Sequence, residues 1–188
     1  MILGRLTRNR RRVALSMTVA ALAAGATVGG TATLAGSGSA AVAGPAKAQV
    51  QATTFGEAVL AGINAERRRH RLQPLRMSGQ LVRSAARHAR SMARTGYFSH
   101  SSPDGTPASA RIRRYYRGST VGEAMLWRSP GITPAQAVQM WLASPPHRAI
   151  LLQARFREVG IASARIGRAV GSFSAGPSTV VVADFGAR

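Results

Sequence analysis

At 188 residues with no cysteine, the chain has room for one ordinary domain beside any targeting segment, and disulfides, a thiolate nucleophile and a Cys-built zinc cluster are excluded. Its 26 Lys+Arg against 6 Asp+Glu give a formal charge of +20, a field that draws polyanions such as anionic envelope polymers, lipid headgroups or nucleic acid. The arginines are scattered, and two tryptophans with three tyrosines offer few stacking faces, so no specific nucleic-acid binding is expected.

Residues 1 to 12 are basic, and from Val13 to about Ala43 there is no charge in a run of Ala, Gly, Thr, Val and Leu. This reads as a signal peptide with a short linker, residues 1–48. Ala41 and Ala43 permit cleavage before Gly44, and "AKAQ" offers a second position before Gln49. The uncharged run is long enough to span a bilayer, but Gly25, Gly29, Gly30, Gly36 and Gly38 dilute its hydrophobicity and favour cleavage. "TRNRRRVAL" leaves both Sec and twin-arginine export open. The expected product is a secreted or envelope domain, residues 49–188, monomeric and without a membrane span. It stays strongly basic, since five arginines lie in the leader and all six acids lie beyond it.

Helical spacing begins at "TFGEAVLAGINAERRRHR", with Thr54 as N-cap, Glu57 three residues on, and Phe55, Val59 and Ile63 on one face. The arginine run after it is expected to face water, and His70 within it to be solvated. Beyond the connector "RLQPLRMSG", Ser78 or Gly79 opens a second helix that places Leu81, Ala85, His88 and Met92 together and stops at Gly96. His88 is expected to be a neutral, packed histidine. "GYFSHSSPDGTP" cannot continue a helix, and His100 stands at its mouth. A short helix around "ASARIRRYY" leads through Gly118 into "STVGEAML", a strand-like run whose Glu123 needs a partner; composition alone favours one of the many arginines.

"ITPAQAVQMWLASPP" has Thr133 as cap, Pro134 at the first helical position and Gln136 at the third, and is expected to turn Ala137, Met140 and Trp141 inward. Ser144, Pro145 and Pro146 stop it, and "HRAILLQARF" follows as a short helix or turn. "REVGIASARIG" and "TVVVADFG" read as strands joined by a Gly/Ser/Pro segment. The order implies an α+β domain in which helices cover a sheet with strands near 121–126, 158–166 and 179–185.

"FSHSSPDGTP", "VGEA", "WLASPPHRAIL" and "FREVGIA", in this order, make residues 55 to 188 resemble the CAP superfamily, or SCP-like domain, in its cysteine-free bacterial branch. The resemblance implies an α-β-α sandwich with a central, largely antiparallel sheet, and a surface cleft carrying two histidines and up to two glutamates. By motif, His100 matches the first cavity histidine, Glu123 the motif glutamate and His147 the second histidine. His147 is then expected to project into the cleft while Ala149, Ile150 and Leu151 pack beneath. Two positions depart from the pattern: the usual Asn after the glutamate is Ala124, and the second cavity glutamate is replaced by Ser144, with Glu158 a substitute more in keeping with a structural role.

His100, His147 and Glu123 suit a divalent ion such as zinc, held weakly and as no required cofactor. Two functions stay open. One is an envelope binding module for a lipid, glycan or peptide. The other is a hydrolase using Glu123 with His100 or His147 as acid and base, with or without metal. The chain has no "HExxH", no "GxSxG" and no convincing nucleophile, so binding is the favoured reading and any catalytic role of the three residues stays unassigned.

Overall fold

The structure is a computed structural model and describes residues 54–188; the expected leader and its cleavage positions lie outside them. Helix α1, Phe55–Arg69, starts with a capping box in which Thr54 and Glu57 satisfy each other's backbone amides. Strand β1, Arg76–Met77, is followed by α2, Gly79–Thr95, which ends on Gly96 at φ 76°, a left-handed position that glycine enters without a Cβ penalty. Then come α3, Ala108–Arg113, and β2, Thr120–Arg128. A second capping box, Thr133 with Gln136, opens α4, Pro134–Ala143. Ser144 ends α4 and caps α5, Pro145–Leu151, with both prolines at its first positions, where no intrahelical amide is lost. Strands β3, Glu158–Ile166, and β4, Ser178–Ala187, close the domain as a hairpin.

The sheet order is β1-β3-β4-β2, with β1 parallel to β3 and the other two pairs antiparallel. Alternation along the strands divides the core between two faces. On one face Ala124, Leu126, Val181, Ala183 and Phe185 meet Val59 and Ile63 of α1, Ala137 and Trp141 of α4, and Leu151 of α5. On the other face Met125, Val180 and Val182 meet Ala85, Ala89 and Met92 of α2. This is the expected α-β-α sandwich with a mostly antiparallel sheet. Helix α2 rests so close to β3 that a Cβ on Gly160 would stand 2.0 Å from the backbone of Leu81 and Val82.

Four local expectations are corrected. Residues 76–77, read as connector, form the parallel strand β1, too short to leave a periodic signal. Met140 is 40% exposed, because a ten-residue helix buries only the narrow stripe of Ala137, Val138 and Trp141. Ala149 is exposed, while Ile150 and Leu151 do pack inward. Arg67 leaves the solvated run and is fully buried. Its guanidinium donates from Nε to Gln73 O at 2.8 Å, from Nη1 to Leu151 O at 2.7 Å and Gln153 O at 3.1 Å, and from Nη2 to Phe156 O at 3.2 Å. The planar fork reaches Leu151 O at the end of α5, Gln153 O and Phe156 O in the turn beyond it, and Gln73 O after α1. His70 does stay at the surface, beside Glu66.

Candidate functional site

Strand β2 is one of the sheet's two edge strands, and Gly122 and Glu123 point to its opposite faces. A Cβ on Gly122 would stand 2.8 Å from the Phe156 ring, so the residue before the glutamate is glycine because that ring closes over it. Glu123 turns to the α2 face with its side chain 2% exposed. Both of its oxygens are taken. Oε1 accepts from His100 Nδ1 at 2.7 Å, and Oε2 accepts from Arg111 Nη2. Arg111 Nη1 also donates to His100 O at 2.7 Å, so one guanidinium from α3 holds both the carboxylate and the backbone that carries the imidazole. A buried charge is tolerable only when paired and hydrogen-bonded in this way.

His100 keeps 56% of its side chain exposed. The hydrogen bond to Glu123 raises its pKa above the ordinary histidine value, against a smaller opposing effect of burial. His88 is buried and donates from Nε2 to Ser99 O at 2.9 Å, with Glu123 Oε2 3.9 Å away. Burial holds its pKa down despite that carboxylate, which keeps it neutral and structural as expected. It is not remote from the site, however, because it anchors the residue just before His100.

His147 lies in the first turn of α5, on the face of the sheet opposite α2, with Nδ1 3.0 Å from Ser144 Oγ. Burial and then the charge of His100 hold its pKa below the ordinary value. Its ring makes no hydrogen bond to His100 or Glu123. The structure therefore joins His100 to Glu123 directly and leaves His147 beside them, within reach of His100's charge. Glu158 is elsewhere: it accepts from Tyr116 Oη and from Arg188 Nε at 3.1 Å, a structural clamp.

Two site residues escaped the sequence reading. Arg111 is one of several arginines in "ARIRRYYR", and only its place beside the buried Ile112 sets it apart. Asp184 faces Glu123 in the β2–β4 register, fully buried, with neither oxygen hydrogen-bonded. Burial, followed by the negative charge of Glu123, pushes its pKa well up. A signal for it exists: in "TVVVADFG" the alternation sets Val180, Val182 and Asp184 on one face, an acid in an apolar row.

The family model of CAP, the cysteine-rich secretory protein family, matches residues 60–185. The chain belongs to the CAP family. The uncharacterized protein YkwD of Bacillus subtilis (strain 168) is 31% identical over 99 residues, 52% of this chain and 38% of that protein. An extracellular protein containing an SCP domain from Bacillus anthracis aligns with a TM-score of 0.59 at 24% identity, over 71% of this chain and 40% of the other. An outer surface protein of Borrelia burgdorferi aligns with a TM-score of 0.56 at 22% identity, over 69% of this chain and 90% of the other. The match thus spans well under half the length of the two Bacillus proteins, and the structural likenesses bear on the fold.

In this CAP domain the departures from the family pattern acquire physical meaning. Ala124 points away from Glu123, into the apolar layer below the sheet, so an amide at 124 would not face the Glu123 side. Ser144 is the hinge residue between α4 and α5 and the partner of His147. As for metal, no three or more His, Asp or Glu side chains among the described residues are grouped so as to hold an ion. Among the described residues nothing hydrogen-bonds Nε2 of His100 or Nε2 of His147, but Glu123 has both oxygens engaged. Two imidazoles alone do not fit the three-ligand protein set of a zinc site. What the arrangement can do is present two imidazoles, one fixed by a buried carboxylate, at the rim of strand β2.

Proposed function

We propose that this CAP chain is a monomeric binding module exported to the envelope or extracellular space, and that a lipid, glycan or peptide ligand meets it at His100 and His147. One observation carries the reading: Glu123 is sealed, with Arg111 on one oxygen and His100 on the other. A general base has to reach the proton it removes, and this carboxylate touches only the chain's own donors. Its role is to orient the His100 ring, as buried carboxylates orient functional imidazoles elsewhere. The relatives described as extracellular and outer-surface proteins support the location, and no helix among the described residues is long and apolar enough to cross a membrane.

The hydrolase alternative lacks a nucleophile held for attack. Ser144 Oγ does meet His147, but this is a local contact three residues apart, and no carboxylate among the described residues hydrogen-bonds that imidazole. No resident metal is required, and a divalent ion such as zinc would find only two imidazoles and exchange freely. The test is incubation of purified protein with envelope fractions, reading retention and released fragments together. Retention at raised salt, where charge-driven adhesion to anionic polymers fades, that is lost in the His100→Ala, His147→Ala double variant supports the module. Fragments released by the parent and not by Glu123→Gln would overturn it in favour of the hydrolase.

A further inference from the structure

Beside Arg111, α2, α3 and the loop at 102–104 enclose a hollow of about 460 Å³ that His88 also lines. Arg87, Arg111 and Arg114 line it, with the hydroxyls of Ser91, Ser102 and Tyr115. Arg111 is 5% exposed, and its Nε is buried without a hydrogen-bond partner. One carboxylate faces the same space, Asp104, whose Oδ1 accepts from the Thr106 amide at 2.9 Å. Arg111 spends its charge on Glu123, but Arg87 and Arg114 are exposed and form no salt bridge among the described residues. The hollow therefore keeps an excess of guanidinium donors, whose planar forks match a phosphate.

Arg87 also belongs to a second feature. Along α2 the exposed side chains Arg83, Arg87, Arg90 and Arg94 recur at helical spacing, and the helix contains no acid. None of the four is in an ion pair among the described residues. At a rise of about 1.5 Å per residue they cover roughly 16 Å, one cation for every ~5.5 Å of axis. Such a row matches a linear chain with regularly repeated anions better than a lone ion. Beside the packed ring of His88, Tyr115 is the one aromatic side chain lining the hollow, so there is little on which bases could stack, and a nucleic acid is the poorer occupant.

We propose that the α2 arginine row and the hollow at its middle form a docking site for a linear phosphodiester polymer of the envelope, with one phosphate seated between Arg87 and Arg114. The choice of polymer rests on the extracytoplasmic reading above; the site itself does not depend on the imidazoles.

The test uses the full chain and two probes, a poly(glycerol phosphate) chain and a polyglutamate of matched charge, titrated at low and physiological salt. The parent binds the phosphate polymer more tightly than the carboxylate one. Arg87→Gln with Arg114→Gln weakens binding about tenfold and flattens its salt dependence, whereas Arg68→Gln with Arg155→Gln, exposed on the α1 side, changes it less than about threefold. Thermal melts confirm folding, and the single variants Arg87→Gln and Arg114→Gln replace the pair if it fails to fold. No polymer binding by the parent, equal binding of both polymers, or equal loss in both double variants would overturn the site. His100→Ala with His147→Ala should keep polymer binding, so failure here and failure of the imidazole reading are told apart.

Discussion

Asp184 stands directly across the β2–β4 ladder from Glu123, yet all the partners belong to Glu123. Burial and that neighbouring negative charge raise the Asp184 pKa, so the folded chain holds a proton there which the unfolded chain releases above about pH 3.9. Stability from this group therefore falls as pH rises from there through the folded value. Asp184→Asn keeps the shape and removes the slope. Urea unfolding at pH 5 and pH 8 should show the variant gaining on the parent at the higher pH; a constant difference would mean that Asp184 is ionised in the fold.

The histidines should titrate apart in an imidazole NMR experiment. His100 is expected above the ordinary value near 6.5, and His88 and His147 below it. Linkage then runs in opposite senses. The contribution of His100 is full below pH 6.5 and is lost as pH climbs through its folded pKa. Those of His88 and His147 are full above 6.5 and are lost as pH falls through theirs. In Glu123→Gln the His100 value should drop, and an unmoved titration would break the assignment of its cause.

Zinc added to the protein should bind weakly enough for dialysis to remove it. Calorimetry is expected to show the signal vanish in His100→Ala with His147→Ala and persist, weakened, in Glu123→Gln, since Glu123 contributes orientation and not a ligand atom. Because His100 holds its proton more tightly than a free imidazole, affinity should begin to fall at a pH above 6.5. Equal abolition by both variants would make Glu123 a ligand.

Arg67→Met should destabilise the domain by about 3 kcal/mol or more, read from chemical unfolding. It takes the guanidinium from four carbonyls, two of which, Leu151 O and Phe156 O, accept from it in buried contacts. Arg67→Lys should rescue little, because an ammonium cannot span acceptors laid out for a fork. A loss within about 1 kcal/mol in either variant would show these bonds to be dispensable.

Gly160→Ala is expected to cost about 3 kcal/mol or more, since the new methyl would overlap helix backbone, which cannot rotate aside as a side chain could. Its melting temperature is the readout. An unchanged value would mean that α2 lifts from β3 freely.

The fold was legible wherever local chemistry decides structure. Both capping boxes, the Gly96 stop, the proline-led start of α5 and three long strands follow from residues that act on their own backbone. The His100–Glu123 contact was legible only through family motifs, as neither spacing nor composition brings residues 100 and 123 together. What escaped depends on tertiary placement. Arg67 and Arg111 look like their solvated neighbours in sequence, and only distant carbonyls and a distant carboxylate set them apart. Met140 was misjudged because helical periodicity gives a face but not the width of the buried stripe.

The guanidinium of Arg67 joins the last turn of α1 to the carbonyl of Leu151, where α5 ends. His147 rides on that same two-turn helix, so the attitude of its ring is governed by a tether from a neighbouring helix of the same layer. A substitution there too gentle to melt the domain would still shift that ring, and under the proposed binding role it would detune capture without altering a single contact residue.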